Sequence, residues 1–358
     1  MSINSSSDAS SDATVDTRVG GMGDVLMRLN ALYALSSLRG NLRIRVVVGG
    51  ALLSLAETLY GSRLQIGTTT DSTAATYVFT HSGLRHLLPE LLKGRRFINP
   101  FVRELAQQTG RSRWKGTLNV LAFRLLHHMD RVLLPRSDLG DSYAGWSQIC
   151  GLPLALDIPY DQARAQLTRD LPQLRRRLRQ LVPKAAGRCD APTVFPSGTT
   201  FQVMPVALAV ELARRYGARF AFHSSDRYQD VYRAAGLDVV CFADTAGLLA
   251  VASASSRVVS TDSFPSHLLQ LYSASTVVAL SQRPSRHVVH PGFDGGIIES
   301  TAPCCPCVNH ARAVTTVCPV GRVQCLVWTD EGYLRSLRDQ LDVTVGLAPQ
   351  TRGLPLHP

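Results

Sequence analysis

Apolar and polar positions fall into blocks along this chain, and the blocks switch between two periods. Ile44–Val48, Thr193–Phe195, Arg219–Phe222, Val239–Phe242 and the run ending at Val258-Val259 are short and mostly apolar, rich in β-branched or aromatic residues. Such runs predict strands buried on both faces. Thr14–Val19, Thr76–Thr80 and Ser275–Leu280 are further strand candidates. Between them the apolar residues recur at helical spacing. Val25, Leu26, Leu29, Leu32 and Tyr33 follow the first run, Val206, Leu208, Ala209, Leu212 and Ala213 follow Pro205, and Leu268–Tyr272 is a shorter helical pattern. Strand, loop and helix alternate about every 25–30 residues in the second half, which predicts a parallel sheet with helices on both faces. The pattern predicts an α/β chain with a doubly wound sheet in each half.

Pro183 ends an arginine-rich helical run, Leu171–Val182, and Lys184–Pro192 reads as a linker. The expected organisation is therefore a Ser- and Asp-rich disordered tail at 1–13, a first domain at 14–183 and a second at 193–335. The terminal segment 336–358 is expected to pack back on the first domain.

The 358 residues and 45% hydrophobic content suit two domains with sizeable cores. No apolar run approaches about 20 residues, so no membrane span is expected. The N-terminus lacks the apolar centre of a signal peptide, which predicts a cytoplasmic protein. The 38 Lys and Arg against 27 Asp and Glu give a formal charge of +11, which favours anionic partners such as phosphorylated sugars, lipid headgroups or nucleic acid. Between Lys93 and Arg136 the basic residues are dense, Lys93, Arg95, Arg96, Arg113 and Lys115 among them, and only Glu104 and Asp130 oppose them. That window reads either as a docking surface for an anionic acceptor or as a solvated helical face.

Four stretches carry candidate chemistry. Gly20-Gly21-Met22-Gly23-Asp24 lies between a strand and a helix, where glycines let the backbone approach a ligand. Gly21-x-Gly23-x-x-Leu26 lacks the third glycine of a dinucleotide fingerprint, which counts against a nicotinamide dehydrogenase. Asp24 is either a base facing a cleft or a helix cap. Ser260–His267 puts a carboxylate, hydroxyls and an imidazole at the carboxyl end of a strand, where open parallel sheets bind ligands, and its other reading is again a helix cap. Pro196-Ser197-Gly198-Thr199-Thr200 is a second loop of that kind. The fourth is a cysteine cluster: Cys304-x-x-Cys307, Cys318 and Cys325 have spacing suited to a tetrahedral structural zinc or iron ion. Cys305 is the alternative to Cys304, and unliganded reduced thiols are the other reading.

Taken in order, these motifs resemble glycosyltransferase family nine, the ADP-heptose glycosyltransferases of GT-B fold. The Gly-x-Gly-Asp turn stands at Gly21–Asp24, and a His-Pro-Gly-like turn at Phe195-Pro196-Ser197-Gly198. The Asp-Ser-Gly-x-x-His loop stands at Asp262–His267, and a Phe-Gly-Pro-Thr-like turn at Leu280–Pro284. The late cysteines match a Cys-x-Pro-Cys segment and a following Cys-Pro-x-Gly pattern that some members carry. The likeness covers about residues 18–330.

The resemblance implies two Rossmann-like domains facing a central cleft. It implies an inverting transfer of a sugar, heptose from ADP-heptose, to a lipopolysaccharide core or related anionic acceptor, with no metal needed for the chemistry. Asp24 would be the base. Ser197, Gly198, Thr199, Thr200, Gln202, Asp262, Ser263, Ser266, His267 and Arg283 would hold the donor. Gly23 and the basic residues Lys93, Arg95, Arg96, Arg113 and Lys115 would face the acceptor, with peripheral association to an anionic inner membrane. Three departures stand out: Phe264 replaces the loop glycine, Gln202-Val203-Met204-Pro205 lacks the phosphate-binding lysine, and the ribose-binding glutamate near Phe222 is absent, with Ser225 or Asp226 in its place. The same fold acting on protein or modified DNA, or as a non-catalytic nucleotide- or glycan-binding module, are the alternative readings.

Overall fold

A computed structural model describes residues 13–18, 21–70, 75–79, 96–98, 158–182, 189–198, 203–273, 275–280, 285–300 and 326–345. The chain divides into two compact units, residues 1–179 with 286–293, and residues 180–285 with 294–358.

The first unit holds a five-stranded sheet in the order β3-β2-β1-β4-β5. Its strands are β1 (Ala13–Asp16), β2 (Ile44–Val47), β3 (Leu64–Gly67), β4 (Ala75–Phe79) and β5 (Arg96–Ile98), and every pairing is parallel. β1 begins inside what the sequence suggests is tail, because Ala13 pairs with Ile44 on one side and Ala75 on the other. Every residue of β1 is buried, as a central strand of a parallel sheet requires. Among the described residues its helices include α1 (Met22–Leu38), α2 (Gly50–Tyr60) and α3 (Tyr160–Gln180). Leu26, Leu29, Leu32 and Tyr33 of α1 are all within 1% of full burial. Fully burying an aliphatic side chain of that size contributes about 1.5–3 kcal/mol.

Polar contacts fasten α3. Asp170, 4% exposed, accepts from Arg63 Nη1 at 2.9 Å, Ser37 Oγ at 3.1 Å and Gln166 Nε2 at 2.9 Å. Arg177 adds a hydrogen bond from Nη2 to Ser62 Oγ at 2.7 Å. The segment 286–293 packs on the same helix: a Cβ at Gly292 would meet Leu171 at 3.1 Å and Thr168 at 3.2 Å, so a larger residue there would push these neighbours aside by a few tenths of an ångström.

His290 sits in that segment, 1% exposed, and its Nδ1 accepts the Gly292 N–H at 3.2 Å. Burial, with the Arg175 guanidinium nearby, pushes its pKa down from 6.5 to about 3. An unfolded chain therefore takes up this proton near pH 6.5 and the folded chain does not until near pH 3. The stabilisation is complete above about pH 6.5 and is lost as pH falls, at up to about 1.4 kcal/mol per pH unit. Unfolding midpoints recorded between pH 7 and 4 should drop more steeply for the wild type than for His290→Asn; parallel curves would contradict this role.

The second unit holds a six-stranded sheet in the order β11-β10-β9-β6-β7-β8, also parallel throughout. Its strands are β6 (Thr193–Phe195), β7 (Arg219–His223), β8 (Val239–Phe242), β9 (Val258–Thr261), β10 (Thr276–Ala279) and β11 (Gly296–Ile298). Among the described residues its helices are α4 (Val206–Tyr216), α5 (Gln229–Ala234), α6 (Thr245–Ser253), α7 (Phe264–Gln270) and α9 (Glu331–Val345), while α8 (Ser285–Val288) runs into the segment 286–293 of the first unit. α4 starts directly after Pro205, whose fixed φ suits a helix entrance, and stops at Gly217, left-handed at φ 65°. α7 begins at Phe264, earlier than the apolar pattern from Leu268 suggests, because Ser263 and Ser266 cap its first turn around Pro265.

One core joins Leu208, Leu212, Phe220, Phe222, Val259 and Val277 to Trp328, Tyr333, Leu337 and Leu341. Residues 336–345, which the sequence suggests return to the first domain, instead belong to α9 and pack in this unit. Arg338 of α9 holds Glu211 of α4 through two hydrogen bonds, at 2.7 and 3.1 Å. Among the described residues no helix is long and apolar enough to cross a membrane.

Candidate functional site

In the first unit the candidate residues lie on the turn between β1 and α1, at the carboxyl edge of the sheet. Thr17 is fastened to β2, its N–H and hydroxyl both donating to Val47 O, at 3.0 and 2.9 Å. Its own carbonyl accepts from Arg28 Nη1 at 3.1 Å. Beside it the buried carboxylate of Asp16 takes two hydrogen bonds from the Arg18 guanidinium, at 2.9 and 2.6 Å. The helix starts at Met22, two residues before Asp24, with Gly21 as its N-cap. Gly23 is buried in the first turn. Asp24 is half-buried at the third helical position, and its Oδ2 accepts the Gly21 N–H at 3.1 Å. The carboxylate thus braces the turn that carries it, an arrangement that also fixes where it points.

In the second unit strand register brings three loops to one edge. Phe195 pairs with Ser260, and Val194 with Phe220, so the chains leaving β9, β6 and β7 emerge side by side. After β6, Ser197 donates its hydroxyl to Asp226 Oδ2 after β7, a contact across 29 residues of sequence. Asp226 Oδ1 accepts the Tyr228 N–H at 2.9 Å. His223 Nε2 lies 3.0 Å from Ala243 O, and a carbonyl can only accept, so Nε2 carries the proton. Nδ1 then accepts from Ser225 Oγ at 2.7 Å.

After β9, Asp262 and His267 face one another, Oδ1 to Nε2, at 3.6 Å, their side chains 11% and 6% exposed. Ser263 Oγ donates to Thr261 O at 3.0 Å, and Ser266 Oγ donates to Ser263 O at 2.7 Å. Those two hydroxyls hold the turn, with Ser266 fully buried behind it. Asp262, its 11% exposed side chain next to His267, offers this edge a carboxylate, Ser197 on the next loop a hydroxyl, and Asp226 on the loop beyond a second carboxylate. Such a set can bind sugar hydroxyls, with backbone N–H groups of the loops available to an anion.

Thr199, Thr200, Gln202 and Arg283 lie outside the described residues, as do Lys93, Arg95, Arg113, Lys115 and the cysteines Cys304, Cys305, Cys307, Cys318 and Cys325. Arg96 opens β5. Among the described residues no group of three or more metal-ligating side chains could hold an ion. Sequence reasoning missed Arg28 and His223: an arginine in an apolar helix and a lone strand-end histidine carry no local signal of their partners.

No protein-family model and no curated protein matches the chain. Solved structures do. E. coli heptosyltransferase WaaC with ADP is similar at 12% identity and a TM-score of 0.53, over 93% of this chain and 99% of that one. E. coli ADP-heptose lps heptosyltransferase II is similar at 12% identity and a TM-score of 0.50, over 92% and 98% of the two chains. A glycosyl transferase family 9 protein from Veillonella parvula DSM 2008 is similar at 13% identity and a TM-score of 0.50, over 92% and 97%. The chain has the fold of these glycosyltransferases, the GT-B pairing of two Rossmann-like units with parallel sheets.

Proposed function

We propose that this protein is an inverting glycosyltransferase that takes a sugar from a nucleoside-diphosphate donor. The observation that carries the reading is the carboxyl edge of the second sheet, where strand register sets the Ser197–Asp226 pair and the Asp262–His267 pair on neighbouring loops of a fold shared with heptosyltransferases. In this reading the donor lies along that edge. Asp262 holds sugar hydroxyls, and backbone N–H groups of the Pro196–Gly198 and Asp262–Ser263 loops meet the diphosphate. The acceptor hydroxyl binds at the β1–α1 turn. Its oxygen attacks the anomeric carbon, the bond from that carbon to the diphosphate oxygen breaks, and the proton passes to the Asp24 carboxylate. The electron pair leaves on the nucleoside diphosphate, and a single displacement inverts the anomeric centre.

For the finer identity we infer heptose from ADP-heptose, passed to an anionic acceptor such as a lipopolysaccharide core. Its supports are the ADP-bound neighbour, the heptosyltransferase neighbours and the +11 charge. A thermal-shift panel of ADP-heptose, UDP-, GDP- and CMP-sugars tests this. A ligand at one hundred times its Kd stabilises by about 2.7 kcal/mol, about 5 °C or more in a domain of this size. ADP-heptose should give the largest shift. A larger shift with a UDP-sugar would replace the donor, and no shift with any would remove the transferase reading.

A further inference from the structure

Arg28 lies on α1 one turn beyond Asp24, and its side chain is 0% exposed. A guanidinium shut away from water is costly, and a well-packed apolar residue of similar volume is often as stable or more so. Helical side chains lean toward the helix N-terminus, which carries the Arg28 guanidinium back toward the turn. There Nη1 donates to Thr17 O at 3.1 Å. Thr17 is the last residue of the strand end held on β2, through its N–H and hydroxyl. Arg28 thereby ties α1 to the strand end at Thr17, while the Gly21–Asp24 hydrogen bond closes the helix start. Positions 24 and 28 share a helix face, with Cβ atoms about 5–6 Å apart in a regular helix.

We propose that Arg28 is a positioning residue, tying the first turns of α1 to the strand end at Thr17 so that the Asp24 carboxylate on the same helix points at one place. The proposal rests on the transferase reading for its catalytic meaning, while the anchoring itself stands on the contact alone. It acts through Asp24, which separates it from a residue that only stabilises the fold.

The test uses the full chain with Arg28→Gln, which keeps a donor and loses the charged fork, and Arg28→Lys. With the donor that binds best, kcat should fall about 10- to 100-fold for Arg28→Gln with donor KM within about twofold, and Arg28→Lys should recover part of the loss. In an Asp24→Asn background the same Arg28 changes should cost nothing further, because the group they position is gone. Equal losses in both backgrounds would overturn the proposal. Hydrogen exchange gives an arm independent of turnover. The Gly21 amide should exchange at least about tenfold faster in Arg28→Gln than in the wild type, with α2 amides unchanged. An unchanged Gly21 rate would overturn the anchoring whether or not any sugar is transferred. Faster exchange with no turnover by the wild type would uphold the anchoring and reject the enzyme. Should Arg28→Gln fail to fold, Arg28→Lys carries both arms.

Discussion

Asp24→Asn should lower kcat by about a hundred- to ten-thousand-fold, the range lost when a positioned base is removed, and leave donor affinity within about twofold. Asparagine is nearly isosteric, and its Oδ1 can still accept the Gly21 N–H that Asp24 accepts at 3.1 Å. The helix start survives, and the change in stability should stay within about 1 kcal/mol. What disappears is the capacity to take a proton from the acceptor hydroxyl. A purely capping Asp24 predicts the opposite pattern, a small loss of stability with kcat intact. Steady-state kinetics beside a thermal melt separates the two.

The second large effect is expected at Asp262. Asp262→Ala should weaken the nucleotide sugar by about 10- to 100-fold, the loss of one or two hydrogen bonds to a charged group. The bare nucleoside diphosphate should bind as before, because the carboxylate meets the sugar and not the phosphates. The neighbouring His267, whose Nε2 lies 3.6 Å from Asp262 Oδ1, stays in its buried place on α7. Titration calorimetry with the sugar-bearing and sugar-free nucleotides decides this. Equal weakening of both would mean that Asp262 shapes the loop rather than reads the sugar.

Much of the architecture was legible because buried parallel strands and amphipathic helices write different periods. Val258–Thr261 and Thr276–Ala279 are buried at every residue; the Val-Val pair marks each, but the apolar run of the first ends at Val259 because Ser260 and Thr261, which complete β9, are polar. α4 announced both ends, Pro205 before it and Gly217 after it. Local chemistry misled where capping outweighed periodicity. The apolar pattern of α7 begins at Leu268, yet the turn at Ser263–Ser266 nucleates the helix four residues sooner.

The candidate loops could be picked out in the sequence, but their pairings could not. Ser197 and Asp226 meet only because β6 and β7 are neighbours, and strand order depends on crossovers that no local window records. Arg28 was invisible for a related reason. Residue type assigns arginine to the surface, and its partner is a backbone carbonyl eleven residues back. The α9 helix went to the second unit because Leu337 and Leu341 complete a core that a linear reading cannot see.

Hydrogen exchange of the full chain with and without ADP-heptose tests the donor site most directly. Protection is expected at residues 196–198, 224–226 and 262–267, the three loops that strand register sets together at the carboxyl edge of β6, β7 and β9. Protection confined to other parts of the chain, with these loops exchanging as in the free protein, would contradict it.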